Sequence, residues 1–269
     1  MTAMQLPTAA MLLIGNELLS GKVQDANLIV LARDLRALGV ELRRVVMVLD
    51  DVDTIAAEVR ALSASHDWLF TSGGVGPTHD DVTLESVAKA FGVGMERRDE
   101  LVTLLRALYG ERCTEGHLRM ADLPVGAELV AEMDHDPDGP DPADVHGKTM
   151  PWPATLVRNA FVLPGIPQIF QMKLSAVRAR LRKLGARPFV THAVFTDMDE
   201  GHLKPLLDAV VSRFPDVGVG SYPTWVGAPY RTKLTFDARD ATRVREAADA
   251  FCQTLPPGEP KHREPSREP

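Results

Sequence analysis

The segment Thr71-Ser72-Gly73-Gly74-Val75-Gly76-Pro77-Thr78-His79-Asp80-Asp81 gathers residue types that handle a charged ligand. Glycine at 73, 74 and 76 lets the backbone turn tightly and come close to a bound group. Successive N–H groups in such a turn form a concave donor set for an anion, and a helix N-terminus behind it adds to the attraction. Pro77 stiffens the turn. No Gly-Lys-Ser/Thr follows, so this is not a Walker A loop, and the spacing is not GxGxxG either. Asp80 and Asp81 would repel a phosphate held beside them unless a divalent cation lay between; carboxylate oxygens suit magnesium, manganese or cobalt. Asp50-Asp51 and Asn16-Glu17 follow two earlier apolar runs and belong to the same rim. Helix capping explains each acidic pair singly, but three polar clusters after three successive strands point to a shared site.

The elements that must position these groups are legible as runs. Ala9–Ile14 is continuously apolar, like a strand buried on both faces. Ala26–Leu38 spaces Leu28, Leu31, Leu35 and Leu38 as a helix that stops at Gly39. Glu41–Leu49 reads as a second strand, and Asp50 or Asp51 caps a helix bearing Ile55, Val59 and Leu62. Trp68–Thr71 is a third strand running into the glycine loop, and a helix from about Asp80, capped by Asp80 or Asp81, reaches Phe91. This alternation predicts a parallel sheet covered on both faces, with ligand bound at the C-terminal ends of its strands.

Asp99–Tyr109 reads as a helix, Arg119–Val130 as a loop leading to a short strand, and Met133–Pro153 as an exposed excursion rich in Asp, Pro and Gly. Thr155–Leu163 reads as one strand, Pro164-Gly165-Ile166-Pro167 as a turn, and Gln168–Leu184 as a helix ending at Gly185. A boundary near Arg187-Pro188 divides a main domain, 1–187, from a small α+β module, 188–255; the proline- and charge-rich stretch 256–269 reads as a disordered tail. The module reads as strand–helix–strand–strand–helix, with Val217, Val219, Leu234 and Phe236 in its core. A module this small buries limited surface, so docking on the main domain or a second copy is expected, and a free sheet edge favours a partner strand.

Lys+Arg 30 against Asp+Glu 37 gives a net charge of -7, which argues against a nucleic-acid partner. No stretch approaches the roughly 20 apolar residues that span a bilayer, and the N-terminus lacks a basic, apolar leader, so neither a membrane nor secretion is expected. Cys113 and Cys252 are too few for a disulfide framework, which suits the cytoplasm.

Ile14-Gly15-Asn16-Glu17-Leu18-Leu19-Ser20-Gly21, Asn27, Asp50-Asp51, Gly73 through Thr83 and Leu163-Pro164-Gly165-Ile166-Pro167 occur in that order. This set resembles the MoaB/Mog-type molybdopterin-binding domain, in the version at the N-terminus of competence/damage-inducible protein A (CinA) and of eukaryotic FAD synthase. The module with Gly220-Ser221-Tyr222-Pro223 resembles the extension that follows it there. The resemblance implies a three-layer α/β/α fold and a pterin or nucleotide ligand, with Gly15, Asn16, Ser72, Gly73, Gly74, Gly76, Pro77, Thr78, Pro164 and Gly165 around it. In the Mog group the loop reads Gly-Gly-Thr-Gly and ends Arg-Asp-Val-Thr; here Val75 replaces the Thr and Asp80 the Arg, while Asp81 matches the family's functional aspartate and Asp50 its acidic position after the second strand. An acid in place of that Arg favours CinA-like chemistry, metal-dependent hydrolysis of the pyrophosphate of ADP-ribose or FAD, over molybdopterin adenylylation. On this reading Asp80 and Asp81 carry the metal, and Asp81, Asp50 and Glu17 are catalytic. The alternatives are a non-catalytic molybdopterin- or nucleotide-binding module and an adenylyltransferase-like protein. Neither the deamidase domain of CinA nor the adenylyltransferase domain of FAD synthase is credited to these 269 residues, and a homo-oligomer is expected on the prevalence of two-fold assemblies.

Other candidates have plainer readings. His79 suits a solvent-facing turn as well as a phosphate contact, and His117, His192 and His202 lack zinc spacing. Tyr222, Trp225 and Tyr230 could stack on an adenine or flavin ring, but packing is the favoured expectation.

Overall fold

The computed structural model describes residues 7–131, 152–183, 185, 188–225 and 227–265. The expected excursion at 133–153 therefore falls almost wholly outside the described residues. The chain divides into two units, 1–186 and 187–269.

The first unit runs β1 (Thr8–Ile14), α1 (Asn16–Leu19), α2 (Asn27–Ala37), β2 (Glu41–Val48), α3 (Val52–Ser65), β3 (Trp68–Ser72), α4 (Thr83–Phe91), β4 (Met95–Arg97), α5 (Asp99–Tyr109), α6 (Glu115–Leu118), β5 (Asp122–Pro124), β6 (Glu128–Val130), β7 (Ala154–Val157), β8 (Ala160–Leu163) and α7 (Pro167–Arg182). Six strands form one sheet in the order β2-β1-β3-β8-β7-β6, with β4 and β5 paired separately. The four strands β2, β1, β3 and β8 are parallel, so their C-terminal ends share one edge.

Every residue of β1 is buried, and its period-two alternation feeds two cores. Ala10, Leu12 and Ile14 pack with Ile55, Val59 and Leu62 of α3 and Val87 of α4. Ala9, Met11 and Leu13 pack with Leu31 and Leu35 of α2 and Phe170 and Leu174 of α7. The result is the expected α/β/α arrangement of three layers.

Two local expectations are corrected. Thr155–Leu163 is not one strand but the hairpin β7–β8, turning at Arg158-Asn159. Both strands are wholly buried and apolar, so the run looks continuous. Arg158 takes φ 55, and the Asn159 amide donates to the Ser63 and His66 carbonyls, fixing a turn that no glycine marks. The helix after the glycine loop begins at Thr83 rather than near Asp80, and neither aspartate caps it. Asp51 does cap α3, accepting from the Thr54 N–H at 2.8 Å.

The second unit contains β9 (Val190–Thr196), α8 (Glu200–Arg213), β10 (Gly218–Pro223), β11 (Thr232–Ala238), α9 (Ala241–Cys252) and β12 (His262–Glu264). Its antiparallel sheet is ordered β10-β11-β9-β12, and Val217, Leu234 and Phe236 are buried in its core beside a partly buried Val219. Residues 262–264 pair with β9, where the sequence reading has a disordered tail. The composition misleads because what orders this stretch is distant. An open strand edge offers its backbone groups, and Arg263 reaches Asp249 at 2.5 Å.

Candidate active site at the strand ends

The glycine loop is shaped by its neighbours. Gly73 lies against β1: a Cβ there would come 2.0 Å from the Ile14 carbonyl oxygen. Gly74 has φ +64, and a Cβ on it would come 2.4 Å from Thr83 Oγ1. Thr83 then closes the loop, its N–H donating to the Gly74 carbonyl at 2.9 Å and its hydroxyl to the Gly73 carbonyl at 2.8 Å. Thr83 is fully buried. Thr83→Val should therefore strand a buried carbonyl and cost about 1–3 kcal/mol, read as a lower melting temperature in calorimetry; an unchanged melting temperature would show that the loop closes without this bond.

The structure divides the predicted anion donors. The Gly73 N–H is already spent on the Leu163 carbonyl at 3.1 Å. Among the described residues, the N–H groups of Gly74, Val75 and Gly76 have no hydrogen-bond partner. Ser72 and Pro164 are buried framework, with the Ser72 hydroxyl 3.5 Å from the Pro164 carbonyl. Gly165 and Pro77 lie at the surface, and a Cβ on Gly165 would come 3.3 Å from Gly73 Cα. Gly15 is buried, its N–H bonded to the Val48 carbonyl.

The carboxylates border the same loop. Asp50 Oδ2 accepts from the Asn16 N–H at 2.8 Å, while the Asp50 N–H donates back to Asn16 Oδ1 at 3.3 Å, locking the ends of β1 and β2 together. Burial holds the Asp50 carboxyl above the usual range; the Asn16 N–H opposes this, and the charges of Glu17, Asp80 and Asp81 add to it. The four acids thus share one field. Asp81 Oδ2 accepts from the Thr78 N–H at 2.8 Å and lies 2.5 Å from its hydroxyl, while Asp80 Oδ1 lies 2.6 Å from the same hydroxyl. Two anionic oxygens thus compete for the single hydrogen of one hydroxyl. The Thr78 bonds hold the Asp80 carboxyl below its usual range.

Positive charge would be stabilised here, yet among the described residues no three His, Cys, Asp or Glu side chains converge as a metal cage. The donors that Asp80 and Asp81 bring together at the Thr78 hydroxyl are hard carboxylate oxygens, the ligand type that magnesium takes. His79 is exposed beside Asp80, at 3.9 Å.

Three residues at the site have no role in the sequence reading. Thr83 and Asn27 lie within its motifs but are assigned nothing. Asn27 stands four residues before Leu31 and eight before Leu35, a polar residue in a buried helical stripe, which is the signal that marks it. Its amide donates to Ser72 Oγ and to the Gly165 carbonyl, both at 2.9 Å, tying the end of β3 to the turn after β8. Arg119 carries no such signal; with Gly76, Asp81 and Arg97 it lines a cleft of about 260 Å³.

Residues 10–183 match the family described as "Probable molybdopterin binding domain", and residues 188–264 match "FAD synthase, middle domain". A "Probable FAD synthase" of Caenorhabditis elegans is 31% identical over 93% of this chain, which spans 50% of that protein. A protein of Thermococcus kodakarensis is 34% identical, covering 81% of this chain and 86% of its own. Among solved structures, the protein CinA of Thermoplasma acidophilum, described as of unknown function, superposes with TM-score 0.54 at 26% identity, covering 65% of this chain and 98% of that one.

Proposed function

The chain belongs to the molybdopterin-binding domain family, in the version followed by a FAD synthase middle domain, and from that premise we propose that it is a metal-dependent nucleotide pyrophosphatase acting on ADP-ribose or FAD. The observation that carries the reading is the pairing of opposites on one rim: unpartnered N–H groups at Gly74, Val75 and Gly76 beside the acids Glu17, Asp50, Asp80 and Asp81. A pyrophosphate needs donors for its oxygens, and carboxylates near it need a cation.

In this reading the three N–H groups bind phosphate oxygens, and Arg119, exposed and without an ion pair among the described residues, adds charge on the cleft wall. Asp80 and Asp81 would hold magnesium, manganese or cobalt, which when bound lowers the pKa of water and offsets charge on the leaving phosphate. Among the described residues Asp50 Oδ1 has no partner, while Oδ2 is fixed by the Asn16 N–H. Its burial raises its proton affinity, so Oδ1 takes a proton from the attacking water. The water oxygen bonds to one phosphorus, the bridging P–O bond breaks, and two phosphomonoesters leave. Glu17 steers by charge.

The N–H groups of Gly74, Val75 and Gly76 can hold an anion without a metal, which favours a second reading, a module that binds nucleotide or molybdopterin without turnover. Purified protein should be incubated with ADP-ribose or FAD and magnesium, manganese or cobalt. Metal-dependent release of AMP is expected. Saturable binding with no AMP released would replace this reading with the second, and adenylyl transfer from ATP to molybdopterin would replace both.

A further inference from the structure

The geometry points to a second ligand site, in the C-terminal unit, for the planar ring of an amine-bearing purine. The expected packing of Tyr222, Trp225 and Tyr230 is only partly met. Trp225 is 95% exposed and Tyr222 is 55% exposed. Among the described residues it is Tyr230 that packs, its ring edge-on to Phe195 at 4.7 Å and 61°. An indole left in water is a large apolar surface with nothing on it.

That indole is not isolated. Trp225 and Tyr230 line a cavity of about 750 Å³ at the connection from β10 to β11, which Pro223 and Pro229 also line. The volume suits a small molecule, and aromatic faces stack on any base. The rim decides which ring. Asp197, Asp199 and Glu200 line it with Arg231; both Asp199 oxygens are taken up by His202, Asp197 Oδ2 lies 3.4 Å from Lys261 Nζ and Glu200 Oε1 accepts from the Ser221 hydroxyl, so among the described residues Asp197 Oδ1 and Glu200 Oε2 are left without a partner. The two remaining carboxylate oxygens, on Asp197 and Glu200, favour a ring that presents N–H donors, such as the exocyclic amine of adenine, over one that presents carbonyls; they also disfavour a free phosphate as the occupant. These acids are not a metal cage, since no three converge among the described residues.

Equilibrium dialysis of the full chain against adenosine and inosine, which differ in the exocyclic amine, tests the site. Adenosine should bind saturably and about ten-fold or more tighter than inosine. Trp225→Ala, at a position whose side chain supports nothing, should weaken adenosine roughly ten-fold or more. Equal affinity for the two nucleosides, adenosine binding that survives Trp225→Ala, or no saturable binding would each overturn the site. So would a lower mass of Trp225→Ala in sedimentation, which would make the indole a contact between copies.

Discussion

Asp81→Asn should fold like the wild type and lose about a hundred-fold or more of the proposed metal-dependent pyrophosphate cleavage. The two properties separate because Asp81 has two oxygens with different duties. Oδ2 receives the Thr78 N–H at 2.8 Å and closes the turn against Gly76, where a Cβ would come 2.6 Å from it. An asparagine carbonyl can accept that bond in the same volume. It cannot supply the negative charge that, with Asp80, would hold a divalent cation. Calorimetry should place the variant within a few degrees of wild type, and the metal concentration giving half-maximal rate should rise. Wild-type turnover in Asp81→Asn would reduce this residue to a loop fastener and leave the cation without its principal ligand.

Lys173→Met should raise the stability of the first unit at pH 7, by about 1–4 kcal/mol. Lys173 is 7% exposed on α7, donates to the Pro153 carbonyl at 2.7 Å, and has the Trp152 ring 5.7 Å from its Nζ. No carboxylate faces it among the described residues, and burial pulls its pKa down to about 7. The sign follows. Between pH 7 and about 10.5 the unfolded chain holds a proton that the folded chain has lost, so wild-type stability climbs with pH through that window. The penalty is full at and below pH 7 and vanishes near pH 10.5. The gain from methionine should shrink accordingly, with about 1 kcal/mol already offset by the lost bond to Pro153. Melting temperatures at pH 6, 8 and 10 would show the convergence; a gain independent of pH, or a loss, would mean that the buried amine is not what limits stability.

Several features of the candidate site depend on contacts that no short segment contains. The β3–β8 pairing joins segments about ninety residues apart and takes up the Gly73 N–H, so the N–H groups left without a partner among the described residues are those of Gly74, Val75 and Gly76. Thr83, read as part of a helix, proves to be the clasp of the loop because the turn folds back over its hydroxyl. Asp50 and Asp51, adjacent and chemically identical, divide their work: one locks to Asn16 and the other caps α3.

The sequence by itself determined the strands and helices of the first unit wherever side-chain period decides, as in β1, where alternate residues serve opposite cores, and in α2 with its four-residue stripe. It also determined that the polar clusters follow parallel strands, because βα alternation puts every strand's C-terminus on one edge. Only the tertiary structure decided the Arg158-Asn159 turn, the strand at 262–264 and the exposure of Trp225. The reason is common to all three. Period and propensity are local, whereas the energy that fixes a turn without glycine, orders a proline-rich stretch or leaves an aromatic ring in water comes from distant backbone edges and side chains that lie close only after the chain has folded.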